Sequence, residues 1–240
     1  MTSVAAPLPA TAERLEISVA SGQRLVGVHL RAREESSDRA SLVLGFGGNA
    51  WNANDLALLL RATFPDHDVV AFHYRGYAPS TGSPSARAIL ADALAVHDHV
   101  VARLAPERVV AVGLSIGAGP AAHLAARRPV DGLVLVTPFD TLKALARDHY
   151  PWLPVGLLLR HRMDVAGDVG SVSAPVAVIS AAEDTVVPPE RTAAVRSSTR
   201  DLVADRVIAG AGHNDIYDRD AYRRAMRHAL ALIEARGESP

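Results

Sequence analysis

One short segment of the chain combines a serine with two glycines in a pattern suited to nucleophilic catalysis. Residues 113–117 read Gly-Leu-Ser-Ile-Gly, and Ser115 follows the apolar run Arg108–Leu114 and precedes a segment of helical period. A serine on such a strand-to-helix turn has a strained backbone, and larger residues in place of the glycines would collide with the neighbouring strand and helix. The pattern predicts Ser115 as a nucleophile, with a plain small-residue turn as the alternative.

A serine hydroxyl is a poor nucleophile at neutral pH, so it needs a base within hydrogen-bond reach and a third group that orients that base. Of the ten histidines in the chain, His213 lies in a glycine-rich segment, residues 209–215, between the last apolar run and the last helical segment. A loop in that position overhangs a nucleophile at the end of a central strand. The sequence therefore predicts His213 as the general base.

The orienting acid is expected in the turn after the apolar run that precedes the histidine. The turn after the run Val176–Ala181 contains both Glu183 and Asp184. We predict that Asp184 orients the histidine and that Glu183 is a solvated turn residue. Asp140 follows an earlier apolar run and is the main alternative, whereas Asp168 has no strand pattern before it.

Attack on a carbonyl also requires two donors for the oxyanion that forms. The backbone N–H of Ile116, directly after the serine, is expected to be one of them. Residues 46–50 read Phe-Gly-Gly-Asn-Ala and follow the apolar run Ser41–Phe46. The glycines would let the Asn49 N–H approach a substrate closely, so Asn49 is the predicted second donor, with an ordinary glycine-rich turn as the alternative.

The rest of the sequence alternates short valine-, leucine- and isoleucine-rich runs with longer segments of helical period. This alternation predicts an α/β fold with a mostly parallel central sheet, helices on both faces and ligands beyond the carboxyl ends of the strands. An antiparallel hairpin, Arg14 to Val19 and Arg24 to Leu30, is predicted at a sheet edge. The predicted buried parallel strands are Ser41–Phe46, Asp68–Tyr74, Arg108–Leu114, Gly132–Val136, Val176–Ala181 and Leu202–Ile208. The predicted helices are Asp55–Thr63, Ser85–Leu104, Ile116–Arg127, Pro189–Ser197 and Asp215–Ala235.

One segment, Leu142–Arg162, interrupts the alternation after the sixth predicted strand and is expected to form a short helical excursion. Residues 140–165 are therefore a candidate lid. Because this is the most apolar stretch outside the strands, Trp152 and Leu158 are predicted to contact substrate, with core packing as the alternative. The basic residues at 160–162 predict at most a weak attraction to an anionic membrane surface.

Composition narrows the classes of protein to which the chain can belong. It has 240 residues, of which 49% are hydrophobic and 21% charged, as expected for one globular domain over residues 1–240 with a flexible lead at 1–12. The net charge of −1 disfavours nucleic acid as a partner, and the absence of cysteine excludes disulfides and cysteine nucleophiles. No signal peptide and no transmembrane run is predicted, so the expected location is cytoplasmic.

Seven blocks of residues, in one order between about residues 40 and 235, resemble the α/β-hydrolase superfamily. Within it the chain is similar to the Bem46 group and to the ABHD13-like and ABHD17-like serine hydrolases. The blocks are Gly-Gly-Asn-Ala at 47–50, Tyr-Arg-Gly-Tyr at 74–77 with Ser80 and Gly82, the 113–117 turn, Thr-Pro-Phe-Asp at 137–140, Tyr-Pro-Trp-Leu-Pro at 150–154, Asp184 with Pro188, and Gly212-His213.

The resemblance implies a carboxylic ester or thioester as substrate, because members of this group are described as esterases, thioesterases or depalmitoylases. An acyl-enzyme on the serine needs neither a metal nor an organic cofactor. The residues leave two alternatives open, a peptidase or amidase with the same three residues and a ligand-binding protein without catalysis. They do not indicate the natural substrate or the oligomeric state.

Overall fold

The computed structural model describes residues 7–20, 22–33, 41–149, 152 and 163–237, and in this part of the chain a sheet of eight strands forms the centre. Across the sheet the order is β1-β2-β4-β3-β5-β6-β7-β8. The second strand is antiparallel to both of its neighbours, and all the other pairs are parallel. The strands are β1 (Glu13–Ser18), β2 (Arg24–Leu30), β3 (Ser41–Phe46), β4 (Asp68–Phe72), β5 (Arg108–Leu114), β6 (Gly132–Val136), β7 (Val176–Ala181) and β8 (Leu202–Ile208).

Helices cover both faces of this sheet. The described helices are α1 (Ala53–Thr63), α2 (Ala86–Leu104), α3 (Ala118–Ala125), α4 (Leu142–His149), α5 (Val165–Val169), α6 (Pro189–Ser198) and α7 (Asp220–Gly237). One buried cluster joins α2, α3, α5 and α6 to the sheet, and a second joins α1 and α7 to its other face. Along β5, Val109 and Ala111 belong to the first cluster and Val110 and Val112 to the second. Both faces of the central strands are therefore buried, which confirms the predicted fold class.

Local sequence signals account for several helix ends. The Asn52 side chain caps α1 by accepting a hydrogen bond from the Asp55 amide at 2.9 Å. Ser85 caps α2 in the same way, by accepting from the Ala88 amide at 3.2 Å. The helices α3 and α7 begin later than predicted, because the short 3₁₀ turns Ser115–Gly117 and Ile216–Asp218 precede them.

The prediction that every parallel strand is buried was wrong for β8. Its residues Asp205, Arg206 and Val207 are exposed, Val207 to 58%. Among the described strands β8 pairs only with β7 and therefore forms one edge of the sheet. A strand with one neighbour and a charged centre is typical of a sheet edge protected from further pairing.

The two ends of the excursion after β6 are hydrogen-bonded to each other. Thr141 and Asp164 form an isolated antiparallel bridge, and the Leu142 amide donates to the Met163 carbonyl at 3.0 Å. The helix α4 begins the excursion as predicted. Trp152 lies in a turn and is 74% exposed, whereas Leu158 lies outside the described residues. The lid over residues 140–165 stays a prediction.

The segment before β1 is partly packed. Residues 1–6 of the predicted flexible lead lie outside the described residues, but Leu8 and Ala12 pack against the cluster beneath α1 and α7. None of the described helices is both long enough and apolar enough to cross a membrane.

A buried ion pair connects the loop after β4 to α2. Arg75 donates to Asp92 through two nitrogens at 2.7 and 2.5 Å, and the side chains are only 11% and 9% exposed. We expect Asp92→Ala to lower the free energy of unfolding by roughly 3 kcal/mol, because it leaves the guanidinium without its carboxylate in a poorly hydrated place. Urea unfolding measures this loss.

The exposed pair between Asp98 and Arg128 provides the matched control on the same helix. Its shortest distance is 2.7 Å, yet the side chains are 51% and 34% exposed. Asp98→Ala should therefore cost less than about 1 kcal/mol. Equal losses for the two variants would contradict the importance of burial at the Arg75 pair.

Candidate active site

The turn between β5 and α3 holds Ser115 in a conformation that few non-glycine residues adopt. Its φ is +52°, in the left-handed region. A Cβ at Gly117 would lie 2.1 Å from the Phe46 carbonyl oxygen, and one at Gly113 would lie 2.6 Å from the Gly117 carbonyl oxygen. Only glycine fits at both places, so the two glycines allow a turn tight enough to present the serine above the sheet.

Three side chains from separate loops form a continuous hydrogen-bonded chain. Ser115 Oγ lies 2.9 Å from His213 Nε2, and His213 Nδ1 lies 2.8 Å from Asp184 Oδ2. A carboxylate only accepts hydrogen bonds, so Nδ1 carries the proton and Nε2 is left to accept one from the serine hydroxyl. The histidine and aspartate side chains are 8% and 4% exposed. The structure thus brings together the three residues that the sequence singled out for catalysis.

The turn after β7 fixes the direction of the Asp184 carboxylate. Its Oδ1 accepts hydrogen bonds from the amides of Val186 and Val187 at 2.9 and 2.7 Å, which leaves Oδ2 for the histidine. His149, on the exposed side of α4, donates through Nε2 to the Val186 carbonyl at 2.7 Å. The excursion is therefore hydrogen-bonded to the same turn that holds the carboxylate.

The competing carboxylates either are exposed or pair with other residues. Glu183 is exposed. Asp140 accepts a hydrogen bond from the Arg191 guanidinium at 2.9 Å and one from the Thr141 amide at 2.6 Å. Asp168 lies in α5, where it contacts Arg127 at 2.7 Å. Only Asp184, among the carboxylates considered, lies beside the predicted base.

The loop that carries the histidine is braced at both ends. The Gly212 amide donates to Asp215 Oδ1 at 2.7 Å, and Arg219 donates to the Gly210 carbonyl at 2.8 Å. The Glu183 amide donates to the Ala211 carbonyl at 2.9 Å, which joins this loop to the acid turn. These bonds fix the position of the histidine loop relative to the turn that carries Asp184.

The two predicted oxyanion donors lie on loops that follow adjacent strands. Phe46 and Gly113 are partners in the β3–β5 register, so the Asn49 and Ile116 loops leave the sheet side by side. A Cβ on Gly48 would lie 3.5 Å from the Ser115 Cβ. Within the described chain neither the Asn49 nor the Ile116 amide has a hydrogen-bond acceptor. Both are therefore available to a ligand.

Hydrogen bonds hold the Asn49 loop in shape. The Tyr74 hydroxyl donates to the Gly47 carbonyl at 2.8 Å, and the Trp51 amide donates to the Gly48 carbonyl at 3.3 Å. These bonds engage the two carbonyls that precede the Asn49 amide and leave the amide itself unpaired among the described residues.

An apolar cavity of about 220 Å³ adjoins the serine loop. Its wall includes Ile116 and Asn49, together with Ile89 of α2, Leu142 of α4 and Met163. The sequence did not single out the last three, since nothing in the pattern distinguishes Ile89 from the other apolar residues of its helix. Trp152, the described member of the predicted substrate pair, does not line this cavity.

A buried tyrosine lies behind the acid and was also missed. Burial, which a hydrogen bond with Thr137 partly offsets, and the nearby Asp184 charge together raise the pKa of Tyr217 to about 12. Its ring makes edge-on contacts with Trp51 at 5.0 Å and with Tyr222 at 5.6 Å between centroids. The hydroxyl therefore stays protonated at neutral pH, and the three rings pack together in the cluster on the α1 and α7 face of the sheet.

Comparisons with known proteins agree with this architecture. A family profile described as alpha/beta hydrolase fold matches residues 42–156. The chain is 34% identical over 219 residues to an uncharacterized protein of Mycobacterium tuberculosis, an alignment that covers 89% of this chain and 76% of that protein. The chain belongs to the α/β-hydrolase fold family.

More distant relatives include enzymes with named activities. The lysophosphatidylserine lipase ABHD12 of Macaca fascicularis is 30% identical over 196 residues, which cover 70% of this chain and 49% of that enzyme. The chain thus spans about half the length of that relative. The esterase Pf2001 of Pyrococcus furiosus superposes with a TM-score of 0.74 at 16% identity, covering 97% of this chain and 95% of the esterase, which shows the shared fold. The narrower likeness to the Bem46, ABHD13-like and ABHD17-like group stays a prediction.

Proposed function

We propose that this protein is a hydrolase that cleaves carboxylic esters or thioesters through an acyl-enzyme on Ser115. The observation that carries the proposal is the hydrogen-bonded chain from Ser115 through His213 to Asp184, with distances of 2.9 and 2.8 Å. The partners of the competing acids and the unpaired amides of Ile116 and Asn49 support the same assignment.

In the proposed reaction His213 Nε2 takes the hydroxyl proton of Ser115 as Oγ attacks the carbonyl carbon. The Ile116 and Asn49 amides donate to the oxyanion of the tetrahedral intermediate. Collapse expels the alcohol or thiol, which leaves with the proton from the histidine. Water then attacks the acyl-enzyme as His213 removes its proton, and the carboxylic acid and the free serine are released. Asp184 keeps the ring in one tautomer and stabilises the imidazolium.

The cavity beside Ile116 supports an acyl group as the part of the substrate bound there. Its described wall consists of apolar and uncharged residues, including Ile89, Leu142 and Met163. Burial of a hydrocarbon against such a wall is favourable by up to about 0.8 kcal/mol for each methylene. ABHD12 is named as a lysophosphatidylserine lipase and Pf2001 as an esterase, and both activities concern acyl esters.

The proposal is tested by a series of p-nitrophenyl esters from acetyl to decanoyl, with a thioester and the matching p-nitroanilide at one chain length. We expect kcat/KM to rise several-fold from acetyl to medium chains and then level off, because each buried methylene adds binding energy until the cavity is full. We expect the anilide to react far more slowly. A faster anilide would identify an amidase, and no turnover of any substrate would favour a ligand-binding protein.

Ile89→Phe tests whether this cavity holds the acyl chain. The larger ring reduces the space, so kcat/KM for hexanoyl should fall about tenfold while acetyl turnover changes little. Val101→Phe, at an exposed position of the same helix, is the matched control. Equal losses for acetyl and hexanoyl in the Ile89 variant would place the acyl chain elsewhere.

A further inference from the structure

A second and larger cavity lies on the other side of the Asn49 loop. Its volume is about 730 Å³, and its walls are β2, the loop that leads into α1 and residues 76–79. None of Ser115, Asp184 and His213 lines this cavity. Tyr77 lines both this cavity and the acyl cavity, so this residue lies between the two. We call the larger one the β2 cavity.

A buried histidine in the wall of the β2 cavity has one ring nitrogen free for a ligand. His73 is only 7% exposed, and its Nδ1 accepts a hydrogen bond from the Ala53 amide at 3.5 Å. Burial lowers the pKa of His73, and the nearby Arg14 charge lowers it further, while Asp55 raises it. The ring is therefore neutral, and Nε2 carries its proton. Nε2 has no acceptor among the described residues.

Two further features make the same region favourable for an anion. Asn52 and Asn54, at the N-terminus of the 11-residue helix α1, line the cavity, and the Asn54 amide has no acceptor within the described chain. A helix N-terminus attracts negative charge through such amides. Asp55 in the same turn is held by Asn52 Nδ2 at 2.5 Å and does not line the cavity.

Arg14 supplies the positive charge. It is the charged residue of the described wall, which contains no carboxylate. Its pair with Glu16 is 3.4 Å long, with side chains 59% and 43% exposed, so that contact is weak and can be exchanged for a ligand. The remaining wall is largely apolar and includes Val28, Trp51 and Pro79.

We propose that the β2 cavity is a second binding site, which takes a small amphipathic anion. Its phosphate or carboxylate group would lie against His73, Arg14 and the N-terminus of α1, and its hydrocarbon chain against Trp51 and Val28. An anion is favoured over a neutral ligand because Arg14, the free His73 nitrogen and the Asn54 backbone amide are all donors and the described wall contains no carboxylate. The site does not depend on hydrolysis at Ser115.

Trp51 allows a direct measurement of binding. The chain has two tryptophans, and Trp152→Phe leaves Trp51, in the cavity wall, as the fluorescent reporter. In that background we expect hexyl phosphate and hexanoate to change the emission saturably at pH 7.5, and hexanol or inorganic phosphate to bind at least about tenfold more weakly. The tighter of the two anions identifies the preferred head group.

Matched variants assign the signal to this cavity. Arg14→Gln should weaken hexyl phosphate binding about tenfold, whereas Arg24→Gln, which removes the other arginine partner of Glu16 but lies outside the wall, should not. His73→Phe should weaken it similarly, and Arg14→Gln decides the question if that buried substitution prevents folding. Leu142→Ala, in the acyl cavity, should leave binding unchanged.

Three results would overturn the proposal. They are the absence of a saturable change with both anions, equal affinity for hexanol and hexyl phosphate, and sensitivity to Leu142→Ala but not to Arg14→Gln. The last would mean that the anion occupies the acyl cavity. Ester turnover is not part of the readout, so failure here is separate from failure of the proposed hydrolase function.

Discussion

Ser115→Ala is expected to lower kcat for ester hydrolysis by on the order of 10⁴-fold or more. The methyl group cannot attack a carbonyl, and the acyl-enzyme cannot form. The variant should still fold, because alanine replaces a partly exposed residue whose Oγ, among described side chains, is hydrogen-bonded only to His213. Stopped-flow or steady-state turnover of the hexanoyl ester measures the loss.

Covalent labelling locates the nucleophile independently of the choice of substrate. A fluorophosphonate probe should label the protein once, and peptide mapping should find the label on Ser115. Ser115→Ala should abolish labelling, and Ser197→Ala, at an exposed serine of α6 whose hydroxyl donates to the Ala193 carbonyl, should not. Labelling at another residue, or full turnover by the Ser115 variant, would refute the proposed mechanism.

Asp184→Asn should lower kcat by roughly 10⁴-fold with little change in stability. The remaining oxygen can still accept from the Val186 and Val187 amides, so the turn keeps its shape. The new NH₂ group would donate to His213 Nδ1 and leave the ring proton on Nε2. That nitrogen could then no longer accept the serine proton.

The competing acids provide the controls for this variant. Asp140→Asn and Glu183→Gln should each retain activity within about tenfold of wild type, because Asp140 contacts Arg191 and Glu183 is exposed. Circular dichroism and thermal unfolding establish that the variants are folded. A loss at Asp140 as large as that at Asp184 would contradict the assignment of the orienting acid.

The strands were predictable because short apolar runs of five to seven residues between polar turns are typical of strands buried on both faces. The bounds of β3 and β5 follow directly from such runs. The exposure of β8 was missed, although the charged residues Asp205 and Arg206 at its centre are a sequence signal for an edge strand. Edge position depends on the order in which distant strands pair.

The start of α3 shows a second limit of local pattern. Its apolar spacing begins at Ile116, but the α-helix begins at Ala118, because the strained backbone of Ser115 first continues as a 3₁₀ turn. The apolar residues that line the acyl cavity were missed for a related reason. Ile89, Leu142 and Met163 come from separate parts of the chain, and only their packing creates an enclosed space.

By itself the sequence determined the candidates for chemistry, because each has a local signature. Ser115 lies between glycines at a strand-to-helix turn, and His213 follows glycines after a strand. Only the tertiary structure decided which groups meet: Ser115 and His213 are 98 residues apart in the chain, and His213 and Asp184 are 29 apart. Because β5, β7 and β8 run parallel, their carboxyl ends lie at the same end of the sheet, and the loops that follow them come within hydrogen-bond distance of one another.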